Sequence, residues 1–147
     1  MIILDTNVIS ELARPAPDDR VVAWVNAQED AAVTATTVGE LLYGVARLPD
    51  GARKARLCDG IRGMLDEDLG GRVLAFDRDA AAHYAEIAAG RNRAGRPIGL
   101  ADGQIAAICR ACGATLATRN VRDFAIAGIT VIDPWTADGE AETAGQA

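Results

Sequence analysis

The chain alternates short apolar runs with longer segments of helical period, and this alternation constrains its fold more than any other feature. Ile2-Ile3-Leu4 is too short for a helix and is followed at once by Asp5 and a helical segment over 6–13. Runs at 32–35, 73–76, 115–117 and 129–132 read as further strands. The segments 38–48, 52–69, 79–92 and 100–112 read as helices, and another starts at Asp18 or Asp19 after Pro15 and Pro17 break the first. Gly113 stands where a helix-ending glycine belongs. Strands alternating with helices form a parallel sheet covered on both faces. The expected fold is therefore α/β, a three-layer α/β/α sandwich around a central parallel sheet of about five strands.

With 147 residues, half of them hydrophobic, the chain suits one domain with a sizeable core. The domain is expected over 1–135, followed by a small, acidic, flexible tail over 136–147. No apolar run approaches the roughly 18 residues that span a bilayer, so no membrane association is expected. The first residues carry no basic stretch or cleavage site of a secretory leader. Three cysteines suit reduced thiols, and a cytoplasmic location is expected.

In such folds ligands gather beyond the carboxyl ends of the strands. Asp5 follows the first strand, Thr36 and Thr37 the second, and Thr118, Arg119 and Asn120 the fourth. Asp5, Glu40, Asp102 and Asp123 each lie near the start of a helical segment. Each also has a purely structural reading. Asp5 can cap a helix, Thr37 to Glu40 has capping-box spacing, and Asp102 can complement the macrodipole of its helix. Asn120 can cap a short turn that has Asp123 at its third position. Taken together, however, converging carboxylates repel one another unless a cation offsets them. Hard oxygen ligands suit Mg²⁺ or Mn²⁺, ions that activate water and stabilise charge on a phosphoryl group.

The segment Ile3-Leu4-Asp5-Thr6-Asn7-Val8-Ile9-Ser10 resembles the first motif of PIN-domain ribonucleases, especially VapC-like toxins of bacterial toxin–antitoxin pairs. The resemblance continues in order through Thr36-Thr37-Val38-Gly39-Glu40-Leu41, the motif around Asp102 from Ile98 to Ala107, and Leu116 to Phe124. It covers the chain from Met1 to about Trp135. It implies that Asp5, Glu40 and Asp102 are core metal-binding acids. Relatives carry the fourth acid at the position of either Asn120 or Asp123, and Asp123 is taken here, with Asn120 as a polar helper. Thr6, Asn7 and Thr118 are implied as supporting residues.

The implied reaction is hydrolysis of an RNA phosphodiester by water activated on one or two Mg²⁺ ions, leaving a 3′-hydroxyl and a 5′-phosphate. The implied partners are an RNA substrate and a cognate antitoxin protein. The implied assembly is a homodimer within a larger toxin–antitoxin complex.

The formal charge of −6 argues against nucleic-acid binding by bulk charge, and an aromatic content of 4% argues against a stacking platform. The average hides a segregation, because residues 91–122 sum to +5 and the remainder to −11. Arg91, Arg93, Arg96, Arg119 and Arg122 are the candidate RNA contacts, with antitoxin contact as the rival use. Cys109 and Cys112 close a helix rather than open one, so they read as packing residues and not a redox pair.

Two rivals remain. A phosphatase of the haloacid-dehalogenase type would need an acid at Asn7 and a lysine better placed than Lys54. A degenerate PIN domain that only binds or dimerises would lack core acids, and none of the three is missing.

Overall fold

The computed structural model describes residues 1–137 together with the backbone of 142–143. Strands β1 (Ile2–Leu4), β2 (Ala31–Thr34), β3 (Val73–Leu74), β4 (Thr115–Ala117) and β5 (Thr130–Ile132) form a parallel sheet in the order β3-β2-β1-β4-β5. A two-residue antiparallel strand, β6 (Glu142–Thr143), adds to the β5 edge. Thus two residues of the segment expected to be a flexible tail belong to the sheet. Residues 138–141 and 144–147 of that segment lie outside the described residues.

Alternation along each strand builds the three layers. Ile3, Leu116 and Val131 face α5 (Arg78–Arg93) and α6 (Leu100–Cys112), where they pack with Ile87, Ile105, Ile108 and the fully buried Phe124. Leu4, Ala117 and Ile132 face the opposite way. There they meet the apolar sides of α1 (Thr6–Leu12), α2 (Asp19–Asn26), α3 (Ala35–Ala46) and α4 (Ala52–Gly63). The 52–69 segment continues past α4 as a π-helical turn over Met64–Asp68, which keeps Leu65 buried. No described helix is long and apolar enough to cross a membrane.

Two local departures matter for the site. The third helix begins at Ala35, and its cap is the Thr34 side chain, which accepts from the Thr37 amide at 3.0 Å. The capping-box reading of Thr37 and Glu40 is therefore wrong, because an earlier hydroxyl already caps the helix, and Glu40 is left for other work. Helix α5 also runs one residue further than expected, through Arg93, so Arg91 and Arg93 both stand in its last turn.

Gly103 sets the distance between α5 and α6. A Cβ there would lie 2.8 Å from Tyr84 Cε2, and Tyr84 is itself held edge-on to Phe76. Gly103→Ala is expected to cost about 1–3 kcal/mol by overpacking, read as a lower midpoint in urea unfolding.

Candidate active site

The strand order reverses at β1, with β2 on one side and β4 on the other, so the crevice of the fold opens at the carboxyl ends of β1 and β4. Asp5 and Thr118 lie at this point. Asp5 caps α1 and is only 4% exposed. Its Oδ1 accepts from the Thr6 amide at 2.8 Å, and its Oδ2 accepts from the buried Thr118 hydroxyl at 2.6 Å. The structural and functional readings of Asp5 are thus compatible, because one oxygen caps the helix while the other faces the crevice.

Asn7 ties the two sides of the crevice together. Its Nδ2 donates to Thr118 Oγ1 at 3.0 Å, and its Oδ1 accepts from the Arg119 amide at 3.2 Å. The Asn120 amide donates to the same Thr118 oxygen at 3.1 Å. On the other flank the Thr6 hydroxyl donates to Glu40 Oε1 at 2.8 Å. Thr36 Oγ1 donates to Gln104 Oε1 at 3.0 Å and so joins α3 to the first turns of α6, where Asp102 sits. Nothing in the spacing of Thr36 and Gln104 announces that bond, since it depends on two helices meeting in space.

The acids share one electrostatic neighbourhood. Asp102 is half-buried, and its carboxyl is pushed up to about 6, first by burial and then by the charges of Asp5, Asp123 and Glu40; the Arg91 charge opposes this. Burial also raises Asp5, with Glu40 and Asp123 adding repulsion, while the bonds from Thr118 and Thr6 pull it back. Glu40 on α3 and Asp123 in the 3₁₀ turn Val121–Phe124 thus add to the cost of ionising Asp5, just after β1, and Asp102 on α6.

Among the described residues, no three carboxylate, cysteine or histidine side chains converge tightly enough to ligate one ion directly. Asp5 and Glu40 instead spend lone pairs on the Thr6 amide and the Thr6 and Thr118 hydroxyls. An all-oxygen set without a tight cluster suits Mg²⁺, which keeps several waters and takes only one or two carboxylates directly. It does not suit a dedicated zinc cage.

The arginines separate by burial. Arg93, Arg96, Arg119 and Arg122 are exposed, and the Arg119 guanidinium stacks 4.9 Å over the Trp135 ring near the crevice. Arg91 is only 5% exposed, and its donors are used on backbone carbonyls of residues 96, 123 and 125. Expected as an RNA contact, it is an interior residue. A charge in a tight sequence cluster need not share the cluster's exposure when a helix turns it inward. Cys109 is buried and its thiol pushed well above the usual range, as a packed cysteine should be.

Residues 2–128 match the PIN domain family. The chain is 45% identical to VapC ribonuclease Y4jK of Sinorhizobium fredii over 92% of its own length and 98% of that protein. It is 43% identical to toxin FitB of Neisseria gonorrhoeae, over 92% and 99% of the two chains. The solved structure of FitAB bound to an IR36 DNA fragment superposes with a TM-score of 0.87 at 41% identity, over 95% of this chain and 99% of that one. With the match spanning β1 to β4 and all four acids, this chain belongs to the PIN domain family.

Proposed function

We propose that this chain is a Mg²⁺-dependent endoribonuclease, with Mn²⁺ able to substitute, and the toxin of a toxin–antitoxin pair. One observation carries the reading: at the switch point of the sheet the charges of Glu40 and Asp123 add to burial in opposing ionisation of Asp5 and Asp102, a cost that a cation would relieve. The relatedness to a VapC ribonuclease supports RNA as the substrate, and that to toxin FitB supports a toxin's role. The likeness to FitAB supports a protein antitoxin as partner. A homodimer inside a larger complex, and a cytoplasmic site of action, complete the proposal.

Asp5, Glu40, Asp102 and Asp123 would hold a divalent ion, directly or through water, and that ion would supply Lewis acidity and positive charge for hydrolysis of a phosphodiester. The chain's own residues do the positioning. Thr118 and the Thr6 amide fix both oxygens of Asp5, while the Thr6 hydroxyl fixes Glu40. Asn7 locks the Thr118 loop against α1, so the two sides of the crevice cannot drift apart. The exposed Arg93, Arg96, Arg119 and Arg122 lie on or near the elements that carry the acids, where they would meet RNA phosphates. Stacking on Trp135 holds the Arg119 fork in place, so less of its freedom is lost on binding.

Partner-free protein is expected to cut mixed RNA in Mg²⁺, leaving 5′-phosphates, to stop in EDTA, and to resume when Mg²⁺ is restored. Cutting that persists undiminished in EDTA would rule out the proposed chemistry.

A further inference from the structure

The buried Arg91 is the strongest feature that the acid cluster itself does not absorb. It lies in the last turn of α5. Its Nε donates to the Arg96 carbonyl, and its Nη1 donates to the carbonyls of Asp123 at 2.8 Å and Ala125 at 2.9 Å. No carboxylate pairs with it directly among the described residues. A buried cation spent on neutral carbonyls is costly unless the geometry it enforces is needed.

What it enforces is the shape of one turn. The two carbonyls held by Nη1 flank Phe124, which is fully buried, and the next residue, Ile126, adopts φ of +62°. A β-branched residue in that region is strained and persists only where its surroundings over-determine it. The buried Phe124 and the Arg91 bonds anchor the residues immediately before Ile126. Asp123 leaves the backbone within the same clamp, while its side chain makes no hydrogen bond of its own to another described side chain.

We propose that Arg91 is a positioning residue for the fourth carboxylate: by clamping the 123–125 turn to α5 it holds Asp123 towards Asp5 and Asp102. The inference rests on the nuclease reading above. Lysine cannot replace this role, because an ammonium lacks the planar fork that reaches residue 96 and the turn together.

The test is a double-mutant cycle between Arg91→Met and Asp123→Asn, with Arg91→Lys alongside. Each protein is assayed for RNA cleavage and for the rise in Tm that Mg²⁺ produces. Arg91→Met is expected to lower kcat by about 10- to 100-fold and to raise the Mg²⁺ needed for half of the Tm gain by about tenfold. KM for RNA should rise by a smaller factor than kcat falls, since the buried side chain touches no substrate and reaches Arg122 only through the turn. On the Asp123→Asn background the same change should cost less than about threefold, because its route of action is already gone.

A folded Arg91→Met protein with wild-type kcat and Mg²⁺ response would overturn the proposal. So would a full multiplicative loss in the double variant, or a raised KM with kcat unchanged. If Arg91→Met unfolds, Arg91→Lys carries the test. If neither variant folds, Arg91 is a requirement of the fold and not a positioner. Absence of both cleavage and Mg²⁺ response in the wild type would overturn the nuclease reading instead.

Discussion

Asp5→Asn is expected to lower RNA cleavage on the order of 10³-fold while leaving a folded protein. The carboxylate offers two oxygens in fixed directions, one committed to the Thr6 amide and one to the Thr118 hydroxyl at the crevice. Asparagine keeps the shape and can still cap α1 through its single oxygen. Its amide nitrogen then replaces the oxygen that faces Thr118 and Asn7, where donors already converge. The charge that would attract a cation disappears, and circular dichroism should report little change. A variant that cleaves within tenfold of wild type would remove Asp5 from the mechanism.

Asp102→Asn has a second and less intuitive signature. Asp102 is ionised against burial and against three neighbouring carboxylates, and it makes no side-chain hydrogen bond among the described residues. Neutralising it should abolish cleavage and also raise the stability of the metal-free protein at pH 8. Discounted for the exposed half of the side chain, the gain is about 1 kcal/mol, or about 2–4 °C in Tm.

The same physics sets the pH dependence in EDTA. In the folded state Asp102, near 6, and Asp5 hold protons more tightly than they do unfolded. Their contribution is fully present below about pH 4 and is lost as pH rises through 6. Asp18, held down to about 2 by Arg20, acts in the opposite sense but below this window. Thermal melts should therefore show the metal-free wild type losing stability between pH 5 and 8, and Asp102→Asn losing less. Mg²⁺ should restore the difference at pH 8 and do little at pH 5. A wild type whose Tm in EDTA rises steadily over that range would contradict the site electrostatics.

The layered β/α order was legible because strands buried on both faces write themselves as short continuous apolar runs, and Ile2–Leu4 is one. The place of Asp5 followed from it, since the residue after such a strand stands at the carboxyl edge. The capping-box alternative for Thr37 and Glu40 could not be discarded from the sequence, because local spacing cannot reveal that Thr34 already caps the helix. Arg91 was misread for a related reason. It sits among exposed arginines in the chain, and only the docking of α5 against the 121–125 turn shows that it points inward. The grip of Asn7 on Thr118, 111 residues away, had no local signal at all.

The most direct test of the central claim is Mn²⁺ binding followed by electron paramagnetic resonance in the wild type, Asp5→Asn and Asp102→Asn. The wild type should bind one or two Mn²⁺ ions that Mg²⁺ displaces, and both variants should lose most of that binding while remaining folded. Equal Mn²⁺ binding in all three proteins, or none in the wild type, would contradict the claim that these acids form a cation-dependent site.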